Sequence, residues 1–336
     1  MGLPKIIFEK GDIDIHKTYG LTKVTALLNF RDMDFGADPT QWQYLYLDKL
    51  INDIENIITS DSLDILMTEF DNIHKFENLK CRCKKGHVAV CSSCSDKNFS
   101  LKLQTILGYD HGRLITYFLY NGNKTCYICN AQYTVVAQKD YEKNYRGRYR
   151  FKSKYKKSKP NHVSQGRNKA KFQLDHYHPK SLYPAFSVSL GNLYPICGAC
   201  NQVKSNLNLD IDKLHSNYKF ELEETSIYKY YKFKKITDLK LDICDFGTDD
   251  LVNKFDLKGI YDNHIDHAEE LLIRKMYYSD SYKTALLNKH PDITPTFTSI
   301  EDRLIVGTYD KSEGIYKRPL SKMLQDLNDQ LDDFVK

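Results

Sequence analysis

Two Cys-x-x-Cys pairs and a compact group of oxygen and imidazole side chains are the residues of this chain best suited to chemistry. The thiols are Cys126 with Cys129 and Cys197 with Cys200, and Asp-His-Tyr-His-Pro at 175–179 lies between the two pairs. Thiolates in two such pairs are typical of a closed, structural Zn²⁺ site. A carboxylate, an amide and a histidine suit Mg²⁺ or Mn²⁺ with open positions for water and phosphate. The two sets therefore predict two kinds of metal site and the hydrolysis of a phosphodiester.

Short elements on either side should position these groups. Residues 171–176 predict a strand that ends before Pro179, because proline interrupts a ladder. Residues 191–196 predict a second strand that leads into the second cysteine pair. Residues 198–206 can begin a helix with Asn201 near its N-terminus, where the helix dipole and the N–H groups favour phosphate. The expected order is strand, strand, helix.

The sequence of these residues resembles the HNH endonuclease family, also known as His-Me finger or ββα-metal nucleases. The matching positions, within roughly a quarter of the chain, are Asp175, His176, Pro179, Asn192, Leu193, Cys197, Cys200, Asn201 and Lys204. The Cys126 and Cys129 pair matches the zinc-bearing members of that family. We therefore expect an α+β fold, in which a ββα-metal nuclease core with structural zinc is flanked by mainly helical N- and C-terminal regions.

The resemblance also implies a role for each matching residue. His176 would be the general base that takes a proton from the attacking water, as a neutral imidazole can near pH 7. Asp175 and Asn201 would be the protein ligands of the catalytic Mg²⁺ or Mn²⁺, which leaves positions for the scissile phosphate. Asn192 would hold the hairpin and orient His176. Lys204 would contact phosphate, although a solvated helix lysine is an alternative interpretation.

Two positions need comment against the family pattern. Many members have histidine where this chain has Asn201, and asparagine is also used there. His178 follows His176 by two residues and shares its predicted strand face. It could act as the base, bind phosphate or serve a structural role. The spacing to Pro179 favours His176.

A second group of thiols lies upstream. Cys81 and Cys83 form a Cys-x-Cys pair, His87 follows, and Cys91 and Cys94 form a Cys-x-x-Cys pair. We expect a second zinc site, with the first three residues competing for two positions. The alternative is a loop of reduced thiols, which would be exposed to oxidation.

The net charge of +5 is distributed unevenly. Residues 139–171 contain 13 lysines and arginines against two acidic residues, a local charge of +11, so the rest of the chain carries −6. Such a segment is typical of polyanion binding, and interleaved tyrosines can stack on bases. The alternative is a solvated loop without specific function. The predicted nucleic-acid contacts are Arg146, Arg148, Arg150, Lys152, Lys154, Lys156 and Lys157.

Four regions follow from these patterns. They are a helical N-terminal region at 1–78, a cysteine-rich region at 79–112, a nuclease core at 113–209 that contains the basic insert, and a mainly helical domain at 210–336. The first helical face is predicted from Trp42, Leu45, Tyr46, Leu50, Ile54, Ile57 and Ile58. Further predictions are strands at 218–222 and 228–233 and helices at 264–276 and 317–335.

The composition bounds the cellular setting. The apolar fraction of 41% supports packed cores, and the chain has no apolar run of the ~18 residues that a membrane span requires. Residues 1–8 do not resemble a signal peptide, so we expect a cytoplasmic protein whose thiols act as ligands rather than disulfides, with no membrane partner.

The predicted function is a metal-dependent HNH endonuclease that cuts DNA, in a setting of bacterial anti-phage defence or mobile elements. The sequence has no Gly-x-x-x-x-Gly-Lys-Ser/Thr loop, so nucleotide hydrolysis would come from a partner ATPase. Cutting both strands would need a homo-oligomer or successive nicks. One alternative is an RNase or toxin that acts on structured RNA. A second is a non-catalytic, zinc-stabilised subunit that binds nucleic acid.

Overall fold

A computed structural model describes residues 10–60, 63–77, 92–108, 114, 118, 123–137, 169–209, 214–247, 250–278, 280–291, 303–309 and 312–335 of the 336. Within this part the protein is α+β and mostly helical, with three two-stranded antiparallel sheets. The seven predicted nucleic-acid contacts between Arg146 and Lys157 lie outside the described residues, as do Cys81, Cys83 and Cys91.

The N-terminal region is helical, as the periodicity predicts. Its helices are α1 (Lys10–Leu21), α2 (Val24–Phe35), α3 (Trp42–Thr59) and α4 (Asp64–Ile73), and α5 (Ser92–Ile106) follows within the predicted cysteine-rich region. The buried face of α3 consists of Tyr46, Leu47, Leu50, Ile54, Ile57 and Ile58. Leu45 was wrongly assigned to that face: it is 47% exposed, whereas Leu47 is fully buried. Leu45 and Leu47 are close in sequence, and spacing alone does not show which of them is buried, because either can lie at the edge of the apolar helix face.

The central region contains the predicted strand, strand, helix order. After the short pair β1 (Val136–Ala137) and β2 (Lys169–Ala170), the strands β3 (Gln173–His176) and β4 (Leu193–Ile196) pair antiparallel, and α6 (Gly198–Lys204) follows directly. In the β3–β4 register Asp175 lies opposite Tyr194 and His176 opposite Leu193. The connection between the strands forms two 3-10 turns, Pro184–Val188 and Leu190–Asn192.

The C-terminal region adds a third sheet and a set of helices. The elements are β5 (Tyr218–Leu222), α7 (Glu224–Phe233), β6 (Leu241–Asp245), α8 (Leu251–Lys254), α9 (Leu257–Asp262), α10 (Ile265–Tyr277), α11 (Asp280–Lys289) and α12 (Ser321–Val335). The predicted strand at 218–222 is confirmed, with β6 as its partner.

The predicted strand at 228–233 is wrong, because these residues belong to helix α7. Its aromatic residues favour a strand by propensity, but Ile227 and Tyr230 are buried on one face while Tyr228 is 64% exposed. That three-residue spacing of buried positions is helical. Burial on one helix face therefore overrides the β-propensity of the segment.

The last helix begins four residues later than predicted. A 3-10 segment, Ser312–Lys317, precedes it, and Leu320 has a left-handed φ of 62°. A left-handed residue cannot continue a right-handed helix, so α12 begins at Ser321. Met323, Leu327 and Leu331 form its fully buried stripe.

Two large hydrophobic cores and one smaller cluster surround the central hairpin in the described residues. One core is built from the N-terminal helices together with Ala185, Phe186 and Val188 of the connection between β3 and β4. The other core joins the four cysteines 126, 129, 197 and 200 to the C-terminal elements. The smaller cluster contains Leu174 and Leu193 of the hairpin itself. The hairpin is therefore held from both sides. None of the helices in the described ranges combines the length and apolarity needed to cross a bilayer.

Candidate functional site

The four cysteines of the two predicted pairs converge on one point. The Sγ atoms of Cys126, Cys129, Cys197 and Cys200 all lie within 4.8 Å of one another, and those of Cys129 and Cys197 are 3.9 Å apart. A tetrahedral Zn²⁺ with Zn–S bonds of ~2.3 Å separates its sulfurs by about 3.8 Å. Burial raises the pKa of the Cys126 thiol, so thiolates gathered here need a cation. The donor chemistry and spacing fit a structural zinc ion.

The backbone of the first pair turns tightly so that both sulfurs face the same point. The N–H of Asn130 donates to the carbonyl of Cys126 at 2.9 Å, and Asn130 has a left-handed φ of 51°. Asparagine tolerates this conformation better than most residues. The buried Asn130 side chain also donates to the carbonyl of Ile315 at 2.7 Å and accepts the N–H of Lys322 at 3.0 Å. The loop is thereby attached to the start of α12.

Two further buried side chains attach the same loop to the C-terminal region. The Tyr261 hydroxyl donates to the carbonyl of Cys129 at 2.7 Å. His215 has Nε2 at 3.0 Å from the carbonyl of Tyr127 and Nδ1 at 2.9 Å from the Tyr218 hydroxyl. None of these contacts is predicted by the sequence, because the partners are far apart along the chain and carry no motif.

His176, the predicted base, is buried at the end of β3. Its Nε2 lies 3.0 Å from the carbonyl oxygen of Ser187, which can only accept a hydrogen bond. Nε2 therefore carries the proton, and Nδ1 is the basic nitrogen of the neutral ring. Ser187 lies in the 3-10 turn whose neighbours Phe186 and Val188 pack into the N-terminal core. The N-terminal helices thus support the group that fixes the tautomer of His176.

Asn192, fully buried, braces the chain just beyond His176. Its Oδ1 accepts the N–H of His178 at 2.7 Å, and its Nδ2 donates to the carbonyls of His178 and Phe186, each at 3.1 Å. These bonds join the exit of β3 to the 3-10 turn. Every Asn192 contact described here goes to backbone rather than to the open cavity, so the residue is structural in this geometry.

Asp175, a predicted metal ligand, is 7% exposed and shares one oxygen between two donors. Its Oδ2 accepts the hydroxyl of Tyr127 and lies 2.9 Å from Nζ of Lys204. Burial raises the pKa of Asp175, while Lys204 and Tyr127 act against that rise. The nearby ammonium group favours the ionised carboxylate and so opposes the effect of burial.

Lys204 departs from both interpretations drawn from the sequence. It is neither a surface group that meets phosphate nor a solvated lysine: its exposure is 0%, and its Nζ also donates to the carbonyl of His176 at 2.8 Å. The spacing could have indicated this, because Lys204 follows Cys200 by four residues and shares its inward helix face. The lysine is an internal brace of the hairpin.

The predicted groups line one cavity of about 500 Å³ between β3 and the C-terminal half of α6. Asp175, His176 and Asn201 all contribute to its wall, together with Gln173 and Lys180. The Nδ2 of Asn201 donates to Oε1 of Gln173 at 2.6 Å, which directs the Asn201 carbonyl oxygen away from Gln173. A carboxylate and an amide oxygen on one cavity wall are hard donors of the kind that Mg²⁺ and Mn²⁺ take.

Lys180 and Gln173 were not identified from the sequence. Lys180 is exposed and brings a positive charge to the cavity wall, where it could contact a phosphate. Gln173 begins β3 and reaches α6 across the hairpin. The only sequence signal was their proximity to the Asp-His dipeptide.

Other potential ligands remain apart from this site. Cys94 is half-buried in the first turns of α5, and its three predicted partners lie outside the described residues. His264, Asp266 and His267 form a group of possible ligands within 4.8 Å. That group is partly exposed and lies at the N-terminus of α10, where the helix dipole opposes a cation.

A scan against protein-family models, a search of curated proteins and a search of solved structures each find no match to this chain. The function is therefore argued from the residues and their geometry.

Proposed function

We propose that this protein is a metal-dependent endonuclease of the HNH type that hydrolyses phosphodiester bonds of DNA. The observation that carries the proposal is the convergence of Asp175, His176 and Asn201 on one cavity at a hairpin followed directly by a helix. These are the three residues to which the resemblance assigns the chemistry. The four-cysteine cluster beside them supports the comparison with the zinc-bearing members.

The roles follow from the contacts of each side chain. The carbonyl of Ser187 holds the proton of His176 on Nε2, so Nδ1 can accept a proton from the attacking water. Asp175 and Asn201 would hold Mg²⁺ or Mn²⁺, which when bound stabilises the charge that develops on the phosphate and the leaving oxygen. Lys180 adds a positive charge on the cavity wall. The basic insert would supply sequence-independent attraction to the phosphate backbone.

The first test is cleavage by the full chain with Mg²⁺ or Mn²⁺, on plasmid DNA and on total RNA in parallel. We expect plasmid nicking that a chelator abolishes. The variant His176→Ala should be slower by about 10²- to 10⁴-fold, the usual contribution of a general base. His290→Ala, at an exposed position beyond α11, is the matched control and should cut at the wild-type rate.

The outcomes separate the alternatives. Cleavage of RNA but not of plasmid DNA would mean that the substrate is RNA, with the same hydrolysis of phosphodiester bonds. Equal rates for wild type and His176→Ala would reject the assigned base, and His178→Ala would then be the next variant to measure. No cleavage of either polymer by wild type, with or without proteins encoded beside it, would reject the nuclease proposal in favour of a zinc-stabilised binding subunit.

The cellular setting is part of the proposal. A nuclease of this kind with a concentrated basic segment suits bacterial defence or a mobile element, working with a partner ATPase or as a homo-oligomer in the cytoplasm. Deleting the gene in a host challenged with phage, with catalytic His176→Ala as the matched strain, would test that setting.

A further inference from the structure

Tyr127 connects the cysteine cluster to the proposed catalytic carboxylate. It occupies the second position of the Cys126 to Cys129 turn, and its ring is 3% exposed. Its hydroxyl donates to Oδ2 of Asp175, 48 residues further along the chain. A side chain between two thiol ligands thus bears directly on a residue of the cavity.

Lys204 makes the same connection from the second cysteine pair. It lies four residues beyond Cys200 on α6, and its Nζ is 2.9 Å from the same Oδ2 atom. Both donors therefore meet one carboxylate oxygen, and each is carried by a segment that holds two of the four thiols. The carboxylate also accepts a backbone hydrogen bond from His176, so the two side-chain donors add to a contact within the strand.

We propose that Tyr127 and Lys204 are positioning residues that couple the two metal sites, so that an ion on the four cysteines fixes the orientation of Asp175 for the divalent cation in the cavity. The inference rests on the proposed function, since that cation is the cofactor of the same site. Its regulatory consequence is that loss of the structural ion weakens the catalytic site before the hairpin itself unfolds.

Carboxylate geometry explains why two donors on one oxygen matter. The last torsion of an aspartate is broad, so an unsupported carboxylate samples many orientations. Two buried side-chain donors on Oδ2 narrow that range. The Tyr127 hydroxyl is a hydrogen-bond donor to this oxygen. Support of this kind commonly sets metal affinity through groups that never touch the metal.

The coupling is reciprocal by thermodynamic linkage. If the ion on the cysteines strengthens cation binding at Asp175, then a cation at Asp175 must strengthen retention of the ion on the cysteines by the same factor. Binding of the divalent cation alone is therefore sufficient to observe the coupling, without any nucleic acid.

The test is Mn²⁺ binding to the zinc-loaded full chain, followed by electron paramagnetic resonance of the unbound ion. Thiolate sites strongly prefer Zn²⁺ to Mn²⁺, so the zinc-loaded cluster does not compete. Tyr127→Phe should retain the zinc content of the wild type and bind Mn²⁺ about 10- to 100-fold more weakly. Asp175→Asn should remove the site.

Tyr261→Phe is the matched control. It deletes a buried hydroxyl that also bonds the cysteine loop, at the carbonyl of Cys129, but that does not contact Asp175. It should leave the Mn²⁺ affinity unchanged. If Tyr127→Phe and Tyr261→Phe weaken Mn²⁺ binding equally, the cause is a general loosening of the loop and the coupling is overturned. Wild-type Mn²⁺ affinity in Tyr127→Phe would also overturn it.

Failure of the proposed function has a different signature. Wild-type protein that binds no Mn²⁺, or that binds it equally after Asp175→Asn, would remove the cavity metal site itself. A wild-type site that depends on Asp175 but not on Tyr127 would overturn the coupling alone.

Discussion

Lys204 and Asp175 form an ion pair that is almost completely removed from water. Lys204 has an exposure of 0% and Asp175 of 7%, with 2.9 Å between Nζ and Oδ2. The free energy lost by desolvating such a pair is about equal to the free energy gained from its attraction. The pair is therefore weak evidence for a more stable fold. The pair has two further bonds, from Tyr127 to Asp175 and from Lys204 to the carbonyl of His176. They indicate that the pair serves mainly to hold these side chains in position.

The pair predicts strongly coupled substitutions. Lys204→Met should lower the free energy of unfolding by about 3–5 kcal/mol, because it leaves the buried Asp175 carboxyl without the charge that offsets its desolvation. The double variant Asp175→Asn with Lys204→Met should lose much less than the sum of the single losses. Urea unfolding of the four zinc-loaded proteins measures this, and additivity within about 0.5 kcal/mol would show that the two groups are independent.

At the scale of elements, the first cysteine loop depends on the C-terminal region for its shape. His215, Tyr261 and Asn130 all tie its backbone to elements that lie more than 80 residues away. His215 is buried, and its burial, with Lys322 nearby, lowers its pKa to about 3. The neutral ring is the form that donates to the carbonyl of Tyr127 and accepts from Tyr218.

Because of His215, we expect the protein to lose stability on acidification. In the unfolded chain its pKa is ~6.5, so between pH 6.5 and 3 the unfolded state binds a proton that the folded state excludes. Stability therefore falls as the pH falls through that window, by about 2 kcal/mol between pH 7 and pH 5 from this residue.

The measurement compares wild type with His215→Gln. Urea midpoints at pH 7 and pH 5 give the pH dependence of each, and protonation of the cysteine ligands is common to both proteins. The variant should be less stable at pH 7 and less sensitive to the change in pH. Identical pH dependence in the two would mean that His215 does not titrate in this way.

At the scale of the whole molecule, the two cores differ in their dependence on metal. The C-terminal core includes all four thiols, whereas the N-terminal core includes none of them and packs against the 3-10 turn at Pro184–Val188. An ion on the cysteines contributes folding free energy to the core that contains them.

Removal of the ion should therefore loosen the two parts unequally. After treatment with a zinc chelator, hydrogen exchange should accelerate in the cysteine loop and in β5, while α3 keeps its protection. Restoring Zn²⁺ should restore both. Uniform loss of protection over both cores would mean that the molecule unfolds as one unit, and no change in the loop would mean that the cysteines hold their shape without metal.

The sequence alone determined what depends on local spacing. Two sulfurs three residues apart in a tight turn must face one point, and the order of strand, strand and helix around Asp175 and His176 follows from signals within a few residues. The four-cysteine ligand set, the hairpin and the helices α3, α6, α10 and α12 were predicted on that basis, whereas α5 and α11 were not. Local propensity failed at 228–233, where burial on one side of α7 outweighed the aromatic content.

Only the tertiary structure decided what Lys204 and Tyr127 do. Their partners, His176 and Asp175, lie 28 and 48 residues away, and spacing carries no information about contacts at such separations. The inward face of α6 indicates that Lys204 is buried, but the partners of Lys204 and Tyr127 are known only once α6 is packed against the hairpin. The physical reason is that the burial and the charge pairing of these side chains arise only when the elements pack against one another, and no single element determines them.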